Sequence, residues 1–189
     1  MNEKDHFKED DKWVQQALRG EMDAFDSLVR KYMNRVYFLL FRMIRNPQDA
    51  EDLTQECFVK AYHHLQDYDA KRSKFSTWLM KIAVNLCIDE FRRNKKVPML
   101  HVVEELTHEH ETPESLYLRK ETYENYAYKL DQLPANYRTA LLLRFYENMS
   151  YQEIADVMGI STTSVRNMLY QARQRLRKSQ EEVQAYGMS

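Results

Sequence analysis

The chain has 189 residues, 43% hydrophobic and 30% charged, with a formal net charge of −1, which suits one generous domain or two small ones. Three glycines and four prolines, amid abundant Leu, Ala, Gln, Glu, Lys and Arg, predict an all-α protein. No apolar run approaches the roughly 20 residues of a membrane span, and the acidic stretch Met1–Asp10 lacks the apolar segment of a signal peptide, so a cytoplasmic protein is expected.

Residues 1–10 read as an acidic tail. From Trp13 to about Arg45 apolar residues recur at helical spacing, starting with Trp13, Ala17 and Leu18 and continuing through Phe25, Leu28, Val29, Tyr32, Val36, Leu39, Leu40 and Met43. Gly20 separates a short first helix from a longer second one. This stripe is read as core. Asn46-Pro47 then marks a helix start, with Asn as N-cap and Pro in the first turn. Asp49, Glu51 and Asp52 follow near the positive end of the helix dipole. Leu53, Phe58, Ala61, Tyr62 and Leu65 mark its buried face, while Asp52, Gln55 and Glu56 form a separate acidic and amide patch at helical spacing. As catalytic carboxylates these are unconvincing, since nothing in the pattern places them in an apolar pocket.

The charge is strongly segregated. Residues 1–70 carry a net −4, 71–96 a net +6, 97–131 a net −5 and the rest +2, a pattern that suggests distinct surfaces for distinct partners. Within 71–96, Lys71, Arg72, Lys74, Lys81, Arg92, Arg93, Lys95 and Lys96 face only Asp89 and Glu90. Such a surplus attracts phosphate backbones, and exposed aromatics stack on bases; a solvated helix with a favourable C-terminal dipole has the same composition. Ser73 or Ser76 can cap the helix, whose core face is Leu79, Ile82, Ala83, Leu86 and Phe91. Phe75 and Trp78 at its start suit either core or platform.

Residues 97–123, interrupted by Pro98 and Pro113 and rich in acids, read as a flexible linker, with some helix returning near Glu114. It divides the chain into a module at 11–96 and a second at 124–179, followed by a tail at 180–189. Leu133-Pro134 opens a helix with Tyr137, Ala140, Leu141, Leu143 and Phe145 as its apolar face. Ser150 and Glu153 form a capping box, Ile154, Ala155, Val157 and Met158 a short packed helix, Gly159 a tight turn, and Ser161 or Thr162 the next cap. Val165, Leu169, Ala172 and Leu176 anchor the following helix, leaving Arg166, Asn167, Tyr170, Gln171 and Arg173 outside. From Thr162 to Lys178 there are five basic residues and no acid. Spacing and chemistry together describe a helix-turn-helix at 151–170 whose second helix suits a DNA major groove. The two cysteines, Cys57 and Cys87, make no disulfide framework and lack a close-spaced partner for zinc, so no metal or other cofactor is expected.

Two α-helical modules on a short linker, the second a helix-turn-helix, resemble the extracytoplasmic-function (group 4) sigma factors of bacterial RNA polymerase, in the sigma-70 family. Asp49–Tyr62 looks like the region 2.2 helix, Phe75–Arg93 like regions 2.3 and 2.4, and Leu133–Arg138, Met149–Ala155 and Ala172-Arg173 like parts of region 4. The resemblance implies a region 2-like helical bundle joined by the linker to a region 4-like helix-turn-helix domain. It also implies a transcription initiation factor, not an enzyme, that binds core RNA polymerase, recognises −10 and −35 promoter elements and nucleates melting, in a stress or envelope response.

On that resemblance, Asp52, Gln55 and Glu56, with Phe58 and Tyr62 on the same helix, would dock on the clamp helices of the β′ subunit. Lys71, Arg72, Ser73, Lys74, Phe75, Trp78 and Asn85 would open the −10 element and hold a flipped base, whose extrusion costs about a few kcal/mol, with Arg92 and Arg93 following the backbone. Thr163, Arg166, Asn167, Tyr170, Gln171 and Arg173 would read the −35 element, with the β flap near the helices before them. Asn167 and Gln171 stand where Ser and Arg are frequent in such proteins; Gln pairs with adenine and Arg with guanine, so the −35 preference does not carry over. An anti-sigma factor, often membrane-anchored, is the further partner implied. The rival reading is a two-domain helix-turn-helix regulator acting on duplex operator DNA without polymerase.

Overall fold

The computed structural model describes residues 3–94, 130 and 133–186. The first module holds four helices: α1 (Glu3–Leu18), α2 (Met22–Ile44), α3 (Pro47–His63) and α4 (Phe75–Asn94), with a short 3-10 turn at Leu65–Asp67 before α4. Gly20 turns the chain between α1 and α2 with φ +91°, a conformation that costs glycine little. Asn46 caps α3 as its residue type predicts: its side-chain oxygen accepts from the backbone N–H of Gln48 at 3.0 Å and of Asp49 at 3.3 Å. Leu28, Val36, Leu39, Leu40 and Met43 of α2 meet Ala50, Leu53 and Cys57 of α3 and Leu79, Met80, Ala83 and Leu86 of α4 in the core.

The helix of α1 reaches back to Glu3, into the stretch read as a tail. Asp10 is 2% exposed, held by Lys31 at 2.7 Å and by the Tyr32 hydroxyl, which donates to it. Apolar periodicity starts only at Trp13, and the anchor further back is polar, so the hydrophobic pattern carries no sign of it. Ser76 lies inside the first turn of α4, which starts at Phe75, and not ahead of it.

The second module holds α5 (Ala135–Phe145), α6 (Tyr151–Met158) and α7 (Thr162–Tyr186). Both halves of the predicted capping box are made: the Ser150 hydroxyl accepts from the Glu153 N–H at 3.2 Å and the Glu153 carboxylate from the Ser150 N–H at 2.9 Å. Gly159 turns the chain at φ +66°, and the Ser161 hydroxyl accepts from the Ser164 N–H at 3.1 Å at the head of α7. Phe145, assigned to the apolar face of α5, is 56% exposed; Leu141, Leu142 and Leu143 fill the core instead. The tail expected at 180–189 is helical as far as Tyr186. The linker expected at 97–123, with its helix near Glu114, lies outside the described residues.

Where the sequence reads two separate modules, the structure packs them together, α4 against α6 and α2 against α5. One contiguous buried cluster runs from Val14 in α1 to Ala172 in α7. At the centre of the first module Phe75 is 1% exposed, its ring 5.6 Å from those of Tyr32, Tyr68 and Trp78. Phe75→Ala is therefore expected to destabilise the protein by about 3–5 kcal/mol, the usual cost of emptying a phenylalanine site in a core. The midpoint of urea unfolding measures it, and a shift no larger than that of an exposed substitution would contradict the placement.

Candidate nucleic acid and protein interfaces

Three separate exposed surfaces carry the residues singled out from the sequence. On α3, Asp52 and Gln55 are exposed and Glu56 is half-buried, paired with Lys60 at 3.0 Å, while the Gln48 amide donates to Asp52 at 3.3 Å. Tyr62, 42% exposed, packs its ring edge against Phe25 with centroids 5.1 Å apart. Phe58 does not belong to this surface. It is 6% exposed and faces the core with Leu53 and Ala61. Val59 and Met22, 55% and 54% exposed, extend the surface with apolar area instead. Val59 was legible in principle, standing four residues after Gln55 and three after Glu56, but an isolated valine in a helix reads as core.

The loop before α4 presents Lys71, Arg72 and Lys74 to solvent, with Ser73 half-buried. Asp69 shapes it: its carboxylate accepts from the Lys71 N–H at 2.9 Å and lies 3.5 Å from the Arg72 guanidinium, and its carbonyl accepts from the Arg72 N–H at 2.9 Å. Asp folds the backbone into such turns by bonding to the N–H two residues on. Phe75 is not available to a base, since its ring is the centre of the aromatic core just described. Trp78 is half-buried and, with Lys81 and Asn85, continues the exposed side of α4 at helical spacing. Lys81, part of the charge surplus, joins this surface, and its position i+3 from Trp78 is the signal that places it there. Arg92 and Arg93 are exposed and paired with Asp89 at 3.4 Å and Glu90 at 3.1 Å.

In the second module Thr163, Arg166, Asn167, Tyr170, Gln171 and Arg173 are all exposed along α7. Val165, Leu169 and Ala172 hold the helix to the core from its opposite side. Tyr170 is 59% exposed, a large aromatic left in water beside a guanidinium and two amides. Arg173 lies 5.5 Å over the ring of Phe145, a cation–π contact that fixes the arginine near the exposed end of α5.

The two modules meet at the basic loop. Lys74 Nζ is 3.1 Å from the carboxylate of Glu153, the same carboxylate that closes the cap of α6. Burial raises the Glu153 pKa, but hydrogen bonds from the backbone and hydroxyl of Ser150 and from Lys74 outweigh it and hold the group below the usual glutamate range. A cleft of about 550 Å³ separates Arg72, Thr77, Trp78 and Lys81 on one side from Ala155, Asp156 and Gly159 on the other. Burial pushes the Cys57 and Cys87 thiols up to about 12, so both stay protonated at neutral pH and neither is a ready nucleophile or metal ligand. Among the described residues no group of three or more His, Cys, Asp or Glu is arranged to hold a metal, and no helix is long and apolar enough to cross a membrane.

Comparison with known proteins matches these modules one by one. The family described as Sigma-70 region 2 matches residues 28–97, and the one described as Sigma-70, region 4 matches residues 123–176. The ECF RNA polymerase sigma factor SigW of Bacillus subtilis is 32% identical over 177 residues, covering 88% of this chain and 94% of that protein. The RNA polymerase sigma-H factor of Pseudomonas aeruginosa is 35% identical over 182 residues, 91% of this chain and 94% of its own length. Among solved structures, CnrH in complex with the cytosolic domain of CnrY superposes with a TM-score of 0.69 at 24% identity over 92% of this chain and 98% of that one. The sigma factor RpoE in complex with the anti-sigma factor NepR from Bartonella quintana gives 0.66 at 19% identity over 82% and 94%. At those identities the structural likeness establishes the fold.

The depressed Glu153 pKa sets the sign of a pH effect. Its stabilising contribution is present above the ordinary glutamate range and is lost as pH falls through the lowered folded-state value. Glu153→Gln is expected to lower the thermal midpoint at pH 7 by the few degrees that about 1 kcal/mol of lost capping produces. The difference from the native chain should shrink as the pH is taken below 4, the lower edge of the ordinary carboxylate range; a gap that stays constant with pH would contradict the assignment.

Proposed function

The chain belongs to the sigma-70 family, in its extracytoplasmic-function class, and from that premise we propose how its surfaces divide the work of starting transcription at chosen promoters. The acidic face of α3 docks on core RNA polymerase through Asp52, Gln55 and Glu56, with Val59 and Tyr62 supplying the apolar part of the contact. Exposed carboxylates beside exposed apolar side chains suit a protein partner, with the charges setting orientation and the apolar area setting adhesion. They suit DNA poorly, since phosphates repel them. The clamp helices of β′ are the surface expected to receive this face.

The basic loop and α4 take the single-stranded −10 element. Lys71, Arg72, Lys74 and Lys81 offer ammonium and guanidinium groups to the backbone, and Trp78 offers the ring on which an extruded base can rest. Phe75 contributes from beneath by fixing Trp78 and Tyr68, not by touching DNA. Asn85, exposed further along α4, supplies an amide for a base edge. Arg92 and Arg93 follow the backbone. The recognition helix α7 reads the duplex −35 element through Arg166, Asn167, Tyr170 and Gln171, with Thr163 and Arg173 at its margins. All of this is binding and strain on DNA; the factor performs no covalent chemistry of its own. An anti-sigma factor that holds the chain is a further proposed partner, by analogy with the complex of RpoE with the anti-sigma factor NepR.

The observation that carries this reading is the separation of the three surfaces: an acidic and apolar face on α3, a basic face on the loop and α4, and a complete helix-turn-helix on α6 and α7. A regulator acting on duplex operator DNA alone would leave the first two without a role. Run-off transcription with purified core enzyme on a matched promoter tests the function. A transcript that needs this chain is expected, and none above core alone would sink it. Replacing Asp52 and Glu56 together by Ala is expected to weaken binding to core enzyme by about tenfold, the effect of losing roughly 1.4 kcal/mol at an interface, with duplex DNA binding unchanged. Equal affinity for core enzyme would move the docking face elsewhere.

A further inference from the structure

We infer that Asp11, on a helix that carries none of the three binding surfaces, is a positioning residue for the captured strand, acting through the Tyr68 hydroxyl on the ring of Trp78. The role rests on the single-strand surface proposed above and extends it to a residue outside the charge surplus. Tyr68 stands just ahead of the basic loop, on extended backbone at φ −73° and ψ 130°. Its hydroxyl donates to Asp11 Oδ1 at 3.0 Å. Its ring centroid lies 5.6 Å from that of Trp78 at an interplanar angle of 54°, and 5.6 Å from that of Phe75, nearly edge-on. Asp11 is thus two contacts away from the base platform.

Two features set this hydrogen bond apart from core packing. Asp11 and Tyr68 are both half-buried, so water reaches either partner and losing the bond costs the fold little. Phenylalanine at position 68 would keep both ring contacts and lose only the tether. The exposure of the rings also differs. Phe75 is sealed in the core at 1% exposed, whereas Trp78 and Tyr68 are half-buried. A half-exposed ring loses rotamer freedom when a base settles on it, and that loss weakens binding unless the ring is fixed beforehand. Asp11 fixes it before DNA arrives. The adjacent Asp10 has a different task. It is 2% exposed, held by Lys31 as well as by the Tyr32 hydroxyl, and Tyr32 meets the sealed Phe75. Asp10 anchors the fold, and Asp11 sets the platform.

Trp13 and Trp78 are the two tryptophans of the chain, so 5-fluorotryptophan gives two fluorine resonances, assigned with Trp13→Phe. Tyr68→Phe and Asp11→Ala each break the tether, and Asp11→Asn keeps an acceptor of the same shape. Either break is expected to shift or broaden the Trp78 resonance in the full chain. Each should also weaken binding of a short mixed-sequence single-stranded oligonucleotide, read at that resonance, by about fivefold. Asp11→Ala does so although it removes a negative charge, which by itself would favour DNA. Affinity for the same oligonucleotide as a duplex should not change. The double variant should be no weaker than either single one, because both remove the same bond, and Asp11→Asn should stay within about twofold of the native chain. Lowered urea midpoints with an unmoved Trp78 resonance and unchanged single-strand affinity would overturn the role, as would additive effects in the double variant. Tyr68→Phe decides the matter should Asp11→Ala not fold. Run-off transcription on a fully paired and on a pre-melted template is scored separately, with about a fivefold loss expected on the first and less than twofold on the second. A native chain that starts no transcript while the fluorine results hold would fail the promoter reading alone. Equal losses on both templates, or none, would fail the positioning role alone.

Discussion

The aromatic knot around Phe75 is the contact on which the rest of the first module depends. Its ring meets Tyr32 from α2, Tyr68 from the connection after α3, and Trp78 one turn further along α4. Two of these partners are themselves tethered to α1: the Tyr32 hydroxyl donates to Asp10, and the Tyr68 hydroxyl to Asp11 at 3.0 Å. Burial and the neighbouring carboxylates push both phenols well above their ordinary range, so they remain donors at any physiological pH. Aromatic pairs contribute about 0.5–1.5 kcal/mol each beyond the area they bury, and here three meet at one ring. The basic loop at residues 70–74 is therefore not a loose connection. Tyr68 precedes it, Phe75 follows it, and both ends are fixed in one core.

A second constraint is electrostatic. A chain of net charge −1 that concentrates a +6 block in 26 residues has to place compensating acids near it or leave an open anion-binding surface. Both solutions occur on α4. At its C-terminal end Asp89 and Glu90 pair with Arg92 and Arg93 within the helix, in contacts whose exposure makes them weak. At its N-terminal end compensation comes from Asp69 in the loop and from Glu153 across the module boundary. Local pairing leaves the helix end basic and open; pairing across the boundary ties two modules together. Glu153 thus has two tasks, closing the first turn of α6 and meeting Lys74, and its lowered pKa records both.

How much of this the sequence discloses depends on the range of the interaction. Asn46 at the head of α3, the Ser150–Glu153 box, the Gly159 turn and the Ser161 cap are all local devices, each complete within four residues, and each is made as its residues predict. The helix-turn-helix surface is legible for the same reason, since Val165, Leu169 and Ala172 fix which way Arg166, Asn167, Tyr170 and Gln171 face. Assignments that needed tertiary knowledge fared differently. Phe58 lies on the buried face its periodicity predicts, against the docking role the resemblance implies, whereas Phe75 suits core or platform until its packing partners decide. Asp10 reads as part of an acidic tail because its partners, Lys31 and Tyr32, are more than twenty residues away. The contact between the modules is invisible to periodicity altogether: Glu147 and Glu153 belong to local patterns that say nothing of Arg35 or Lys74.

That contact also has the strength its place requires. The pair of Lys74 with Glu153 involves a lysine more than a third exposed, and such pairs contribute at most about 1 kcal/mol. A cation–π contact of the kind Arg42 makes with Tyr146 adds about 0.5–2 kcal/mol. The buried carboxylate of Glu147 draws more from Arg35, but its desolvation offsets much of that gain. These polar terms are only part of what holds the modules, since one buried apolar cluster also runs through both. Polar latches and a shared apolar core together tie α4 to α6 and α2 to α5.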